Sequence, residues 1–427
     1  MQSHRHKRSI LQECQQILSN PQFEQLLDSN PLLLGFDNGI FDLETQTFRP
    51  GRPEDFVHLT TGYNYIDMNL EELLEHHTFR MVHEAIKSAV PEEDRHNFLM
   101  RFCASLCQGG NSEEHFHVWT GTGGNCKGKM IFLLKKMFGD YAVSLPVEFI
   151  TRRRPDSSTA QADIIKLRGK RMFDFSEPEH TDSIMTGLLK LITGGDTLSA
   201  RPLFRNSYIS FVPQFKPILL ANKLPHIPPE SSVGRELSRR LRIVDWNMEF
   251  YDVKDPEYDP NNTRHKLALP GGAAVFEKVL TEGAPYFMTY LLRKYYPQYK
   301  ESGLEEPPSI LHRSKAYIQE NNPIQQWLQE ILDDTLCKVS YMDSNNLATC
   351  KVLWDNFSNW YARERFSKKA KPRKEELLNY IDNVLGPREV TDKRKHKMGY
   401  AGWEFNQMSD SPSYQPTMER EPPPPSW

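Results

Sequence analysis

The run Val118-Trp119-Thr120-Gly121-Thr122-Gly123-Gly124-Asn125-Cys126-Lys127-Gly128-Lys129-Met130 constrains this chain more than any other stretch. The apolar segment 115–119 predicts a strand, and the apolar spacing over 130–138 predicts a helix. Between them lies a glycine-rich turn that carries a lysine. Strand, glycine loop, lysine and helix, in that order, are the layout of a phosphate-binding P-loop, although a glycine-rich turn that binds nothing would look the same. Glycines let backbone N–H groups close on phosphate oxygens, and the helix N-terminus adds a favourable dipole. The lysine sets a cation on the terminal phosphates. The residues expected to cradle phosphate are Gly121, Thr122, Gly123, Gly124, Asn125, Cys126, Lys127, Gly128 and Lys129.

The pattern departs from G-x-x-x-x-G-K-[ST] in both available registers. Counted from Gly121, the lysine is Lys127, with Cys126 in the place of a glycine and Gly128 in the place of the hydroxyl. Counted from Gly123, Gly128 and Lys129 complete the spacing and Met130 replaces the hydroxyl. Neither register supplies the Ser or Thr that normally helps to hold Mg2+.

Three further signals follow in order. The segment Met172-Phe173-Asp174-Phe175-Ser176-Glu177-Pro178-Glu179 reads as an apolar strand ending in acids. A carboxylate at that edge can hold Mg2+ and orient an attacking water, with Glu177 the first candidate and Glu179 the second. A solvated acidic turn would look the same. The segment 215–221 is another buried strand, and it runs into Asn222-Lys223-Leu224-Pro225. Asn222 is placed to reach a γ-phosphate or the attacking water, or equally to cap the turn. Finally, Arg239 and Arg240 precede the strand 242–246. Adjacent arginines there suit an arginine finger supplied to a neighbouring subunit, or surface pairing with acids.

Strand–helix alternation from about 111 to 250 predicts an α/β fold with a mainly parallel sheet. Its strands are expected at 115–119, 170–176, 215–221 and 242–246. Ahead of it, residues 1–110 predict a mainly helical domain (70–90 and 94–106) around a hairpin that turns at Asp37-Asn38-Gly39. Residues 251–265 read as a polar loop, and the segments 272–296 and 309–336 as helices, so 251–336 forms a helical extension. A small module at 337–406 has two amphipathic helices followed by extended runs around Lys393-Arg394-Lys395-His396-Lys397, the order of a winged-helix domain. The tail 407–427, with four successive prolines at 422–425, predicts disorder.

At 427 residues the chain has room for two or three domains. It has no apolar run long enough to span a bilayer, so no membrane association is expected. The basic N-terminus has no apolar signal core. Six cysteines without a C-x-x-C pair argue for reduced thiols inside a cell and against a zinc ribbon. With a net charge of −3, any nucleic-acid binding must come from local patches.

Taken together these motifs resemble superfamily 3 helicases, and more narrowly the helicase half of poxvirus-type and phage- or plasmid-type primase-helicases of large DNA viruses. The resemblance rests on Leu34-Gly35-Phe36-Asp37-Asn38-Gly39-Ile40-Phe41-Asp42-Leu43, on Leu167-Arg168-Gly169-Lys170-Arg171 and on Ser176-Glu177-Pro178-Glu179. It continues through Leu188-Leu189-Lys190-Leu191-Ile192-Thr193-Gly194-Gly195-Asp196-Thr197, Leu220-Ala221-Asn222-Lys223-Leu224-Pro225 and Arg239-Arg240-Leu241-Arg242. The family loop reads G-x-G-x-N-G-K-[ST], so Asn125 favours Lys127 over Lys129. The resemblance implies an AAA+-like core, a hexameric ring, Mg-ATP hydrolysis at subunit interfaces and movement on single-stranded DNA at a viral replication site. The resemblance maps a DNA-contacting hairpin to 199–214, where Arg201 and Arg205 would meet phosphates while Phe204 and Tyr208 stack on bases, or else an ordinary hairpin whose aromatics pack on the core. No primase motif is recognisable ahead of residue 30, so the chain reads as a fragment-like paralogue, a helicase whose primase or polymerase is a separate protein, or a truncated gene product, and primer synthesis is not assigned to it. Two other readings stay open. One is a weakened nucleotide- and DNA-binding ring that serves as a platform, and the other is a different P-loop motor such as a packaging ATPase.

Overall fold

A computed structural model describes residues 4–401 and 403–405, apart from 19, 21, 152–161, 177–183, 203–207, 223, 225–238, 321, 333–336, 340–346, 365–370, 388 and 393–396. It divides into two compact units, Met1–Asn321 and Asn322–Trp427.

The first unit is built on a five-stranded sheet. Three short strands precede it: β1 (Leu33–Phe36), β2 (Gly39–Asp42) and β3 (Thr47–Arg49). They form an antiparallel meander, with Gly39 at φ +156° in the β1–β2 turn. The sheet itself contains β4 (Phe116–Thr120), β5 (Ala142–Ser144), β6 (Met172–Ser176), β9 (Lys216–Ala221) and β10 (Leu241–Asp245). Its spatial order is β10-β4-β9-β6-β5 and every pairing is parallel. Each predicted strand is present within one or two residues, and β5 is an addition.

Alternation along these strands explains why both faces are covered. Phe116, Val118, Phe173, Phe175, Leu219, Leu241 and Ile243 enter one core, on which the helix Thr186–Thr193 packs. Trp119, Met172, Ile218, Leu220 and Val244 enter the other. That second core also takes in the helices His77–Ala89, Glu93–Ser105, Lys127–Phe138 and Gly272–Tyr290. Segments on either side of the sheet in sequence therefore share one apolar interior. Phe102 lies flat against His117 of β4, ring centroids 3.7 Å apart.

Polar stitches reinforce this sharing. Arg171, fully buried, donates to Leu33 O at 2.9 Å and to the Gln214 carboxamide oxygen. Gln214 Nε2 in turn donates to Asp28 O and Ser29 O. A Cβ at Gly109 would strike the Arg171 guanidinium, so a side chain there would push it off its acceptors. Tyr141 OH accepts from Gly35 N at 2.9 Å and donates to Leu59 O at 2.7 Å.

Helical segments differ from their predicted extents where proline or strain intervenes. The 272–296 run holds an α-helix to Tyr290, then a π-helical turn Leu291–Tyr295, then Tyr296–Ser302. The 309–336 run is two helices, Pro308–Glu320 and Pro323–Leu332, because Pro323 can only start a helix. The expected loop after 251 carries a strand, β12 (His265–Leu267), paired in parallel with β11 (Glu249–Tyr251).

The second unit runs helix (Pro323–Leu332), strands Cys337–Val339 and Leu347–Thr349, helices Cys350–Arg363 and Lys374–Leu385, antiparallel strands Glu389–Asp392 and Lys397–Ala401, and strand Trp403–Phe405. Its core is Trp327, Leu353, Phe357, Trp360, Leu377 and Ile381. Residues 393–396 of the expected basic wing, and the tail from 406, lie outside the described residues. Among the described residues no helix is long and apolar enough to cross a membrane.

Burial leaves an acid-sensitive feature in the shared core. Desolvation lowers His96 to about 4 and His115 to about 3, Arg242 and Lys216 adding to the effect at His115, and it pushes His117 well below 6.5. Below pH 6.5 the unfolded chain binds protons that the folded chain refuses. Stability therefore falls as pH drops from about 6.5 towards 4, by up to about 1.4 kcal/mol per pH unit for each histidine. The expected result is a urea midpoint lower at pH 5 than at pH 7. An unchanged midpoint would contradict neutral burial of this cluster.

Candidate nucleotide site

The sheet order places one location above all others. The chain leaves β4 for β5 at the far edge and later returns past β4 to β10 on its other side, so strand order reverses at β4. Ligands of open parallel sheets bind beyond the strand C-termini at such a reversal. The P-loop leaves β4 there, flanked by the ends of β9 and β10.

The loop is built on left-handed backbone. Gly123 (φ +110°), Gly124 (φ +60°) and Cys126 (φ +66°) are all left-handed. The helix begins at Lys127, with Cys126 as its N-cap residue. Asn125, buried, donates to Trp246 O at 3.2 Å and so ties the loop to the end of β10. Lys127 Nζ, also buried, donates to Gly121 O at 3.2 Å, Asn125 Oδ1 at 3.4 Å and Asn222 Oδ1 at 2.5 Å. Two residues singled out separately, 95 positions apart, thus meet at one point.

Cys126 stands where the loop asks for glycine. A non-glycine residue at φ +66° costs on the order of 1 kcal/mol. Burial raises its thiol to about 11, so it is neutral and adds no negative charge to the phosphate cradle. The φ value shows that the departure from glycine is a real strain and is not relieved by a change of backbone.

Sequence reading missed the residues that hold the loop from outside. Glu249 Oε1 accepts from Thr122 Oγ1 at 2.9 Å, and Oε2 accepts from Tyr251 OH at 2.8 Å. The Tyr251 and Thr122 hydroxyls hold the Glu249 carboxyl below its ordinary range. Phe250 N donates to Gly124 O at 2.9 Å. Lys129 Nζ pairs with Glu277 at 2.6 Å, on the Gly272–Tyr290 helix. Lys127 thus meets Asn222, while Lys129 meets Glu277. A mixed hydroxyl and acid pattern at 249–251 is the only local hint of this strap.

The remaining expected residues are distributed as follows. Glu177 and Glu179 lie outside the described residues. Asp174, within β6, is buried and paired with Lys135 at 3.0 Å and Ser144 Oγ at 2.8 Å. Arg240 is buried, bonded to Thr193 Oγ1 at 2.8 Å and to Glu114 at 2.9 Å. Arg239 has a mostly exposed side chain and also meets Glu114, at 3.1 Å. The expected DNA hairpin has its two strands, β7 (Leu198–Ala200) and β8 (Ile209–Phe211), antiparallel, with Ser199 Oγ and Ser210 Oγ 2.7 Å apart. Arg201 is half-buried and Tyr208 exposed, while Phe204 and Arg205 lie outside the described residues.

Among the described residues no group of three or more His, Cys, Asp or Glu could hold a metal. The loop hydroxyl position is Gly128, and the Thr122 hydroxyl is committed to Glu249.

Comparison with known proteins places this geometry in context. Residues 1–103 match the family described as D5 N terminal like. A protein of Acanthamoeba polyphaga mimivirus named "Putative helicase L207/L206" is 32% identical over 386 residues, covering 89% of this chain and 38% of its own length. "Putative helicase 121R" of Invertebrate iridescent virus 3 is 28% identical, covering 93% of this chain and 41% of its own. "Putative primase C962R" of African swine fever virus is 22% identical, with 82% and 36% covered. This chain thus spans about two fifths of the length of these relatives. Among solved structures, the apo C-terminal region of NrS-1 aligns with a TM-score of 0.41 at 14% identity, covering 84% of this chain and 74% of that one.

Proposed function

We propose, from the premise that this chain is a D5-type relative of the viral proteins named as helicases, that it is an ATP-driven DNA helicase of superfamily 3. The observation that carries the reading is the meeting of Lys127 with Asn222 beyond the C-terminal ends of β4 and β9. A triphosphate in the loop would take the Lys127 ammonium from its present oxygen partners onto its terminal phosphates. The Asn222 carboxamide, released from Lys127, would then sit beside the γ-phosphate or an attacking water. Mg2+ would neutralise charge on the phosphate oxygens. Glu177, with Glu179, would hold that ion and polarise water, since Asp174 is already neutralised by Lys135. Of the two arginines, Arg239 suits action across a subunit interface, because Arg240 is sealed against Thr193 in its own chain. In a hexameric ring, Arg201 and Arg205 of the β7–β8 hairpin would face single-stranded DNA.

The strain at Cys126 and the missing hydroxyl favour a second reading, a binding platform with slow chemistry that works beside a separate primase or polymerase. One assay separates them: Mg-ATP hydrolysis with and without single-stranded DNA, in this chain and in Cys126→Gly. The helicase reading expects DNA-stimulated turnover that falls in Glu177→Gln and rises severalfold in Cys126→Gly, the range of about 1 kcal/mol of relieved strain. Turnover seen in Cys126→Gly alone establishes the platform. Turnover indifferent to Glu177→Gln removes the assigned acid.

A further inference from the structure

The helix His4–Leu18 contributes no residue to the cores described above, and among its described side chains residues 6–18 are all exposed. Ile10, Leu11, Ile17 and Leu18 are 57–81% exposed, and Cys14 is exposed with them. Successive helical positions turn by about 100°, so these side chains fall within one stripe of about 120°. The stripe is symmetric about Cys14. Leu11 and Ile17 lie three positions to either side of it, and Ile10 and Leu18 lie four. A helix of 15 residues is marginal in water by itself, because its few bonds barely offset the cost of nucleation. It needs a cover over the apolar stripe.

Charge selects the cover. Lys7 and Arg8 lie in the N-terminal half, the first turn has no acid and the last turn has no base. Cations near a helix N-terminus oppose its dipole, whereas near a C-terminus they are favourable. A second copy of the same helix, running antiparallel, resolves the conflict, since each basic half then lies along the partner's C-terminal carbonyls. Lys7 falls in the line of the stripe, seven positions before Cys14, and would reach just beyond the partner's Leu18.

We propose that two copies of this chain pair through this helix, antiparallel, with Cys14 facing the partner's Cys14 on a two-fold axis. Leu11 then meets the partner's Ile17, and Ile10 meets the partner's Leu18. The contact is isologous, so it closes on two chains and cannot by itself propagate into a ring. It stands whether or not the nucleotide site hydrolyses ATP. Its apolar part spans about 12 Å of helix, so the pairing is weak and reversible. An anionic lipid surface is the competing cover for a basic amphipathic helix. The polar face argues against it. Gln12, Glu13, Gln15 and Gln16 stand where lysines and arginines would face headgroups, and the stripe holds no aromatic ring.

The test uses the full chain and a bismaleimide short enough to bridge facing thiols. The parent should give a covalent dimer that Cys14→Ser does not. Leu11→Asp combined with Ile17→Asp, both at exposed positions, should lower the dimer yield roughly tenfold or more, because the seam would bury unpaired charges. Direction is read from Ile10→Cys and Leu18→Cys, each combined with Cys14→Ser. An antiparallel pair cross-links in the equal mixture and in neither variant alone. Cross-linking of each variant alone would show a parallel pair and overturn the proposal. A parent yield no greater than that of Cys14→Ser, or one unchanged by the aspartates, also overturns it. If the chain then co-sediments with phosphatidylserine–phosphatidylcholine vesicles, the stripe lies on lipid instead.

Discussion

Replacing Lys127 with alanine is expected to lower nucleoside triphosphate turnover roughly 10²–10³-fold, the loss seen when one preorganised charge-stabilising donor is removed. The size follows from where the ammonium sits. It is buried, it starts the helix that leaves the glycine loop, and Gly121 O, Asn125 Oδ1 and Asn222 Oδ1 accept from it, as phosphate oxygens would. Lys129→Ala is the informative companion. Lys129 is occupied by Glu277, so its loss should change turnover only a fewfold. Phosphate-release kinetics on the two variants therefore decide between the two sequence registers. Equal and severe losses would mean that both lysines reach the phosphates. A severe loss for Lys129→Ala alone would overturn the Lys127 register.

The largest effect on stability is expected at Arg171. Its guanidinium is fully buried between β6 and the residues before β1, with Leu33 O, Asn30 O and the Gln214 side chain as acceptors and the Tyr141 ring 5.5 Å away. Arg171→Ala would orphan these acceptors and leave a void where no solvent enters. The cost should be about 3–5 kcal/mol, the range for breaking a buried charged network. In a unit of this size that lowers the unfolding temperature by roughly 10 °C. Lys166→Ala serves as the control, since among the described residues Lys166 makes only an exposed i, i+3 pair with Asp163 and should stay within about 0.5 kcal/mol of the parent. Thermal melts followed by tryptophan emission give both values. Equal melting for Arg171→Ala and Lys166→Ala would show that the network contributes nothing net.

What the sequence revealed, and what it concealed, divides along contact range. The glycine loop, Lys127 and the sheet strands of five or six residues were legible because each is a local pattern. The three-residue strand β5 was not, since Ala142–Ser144 is too short to show alternation. Asn222 was legible as a candidate, but its 2.5 Å contact with Lys127 depends on β4 and β9 becoming neighbours, which no local spacing encodes. The same holds for Glu249 on Thr122 and Glu277 on Lys129, separated by 127 and 148 positions. The arginine pair shows the limit most clearly. Arg239 and Arg240 are adjacent and chemically identical, yet the structure buries the second and leaves the first mostly exposed. Cys126 was visible as a departure from glycine, while its cost became definite only with φ +66°.

The flat contact between Phe102 and His117 bears on how the N-terminal segment could be grafted onto another sheet. The similarity that marks the N-terminal segment ends at residue 103, directly after that phenylalanine. A recombination joint at that point would graft foreign residues onto the underside of β4, one strand from the lysine loop. Such a hybrid would have to inherit a ring at 102 that fits an imidazole it did not evolve beside. Exchange is therefore expected to succeed only when the N-terminal segment travels together with the sheet it covers.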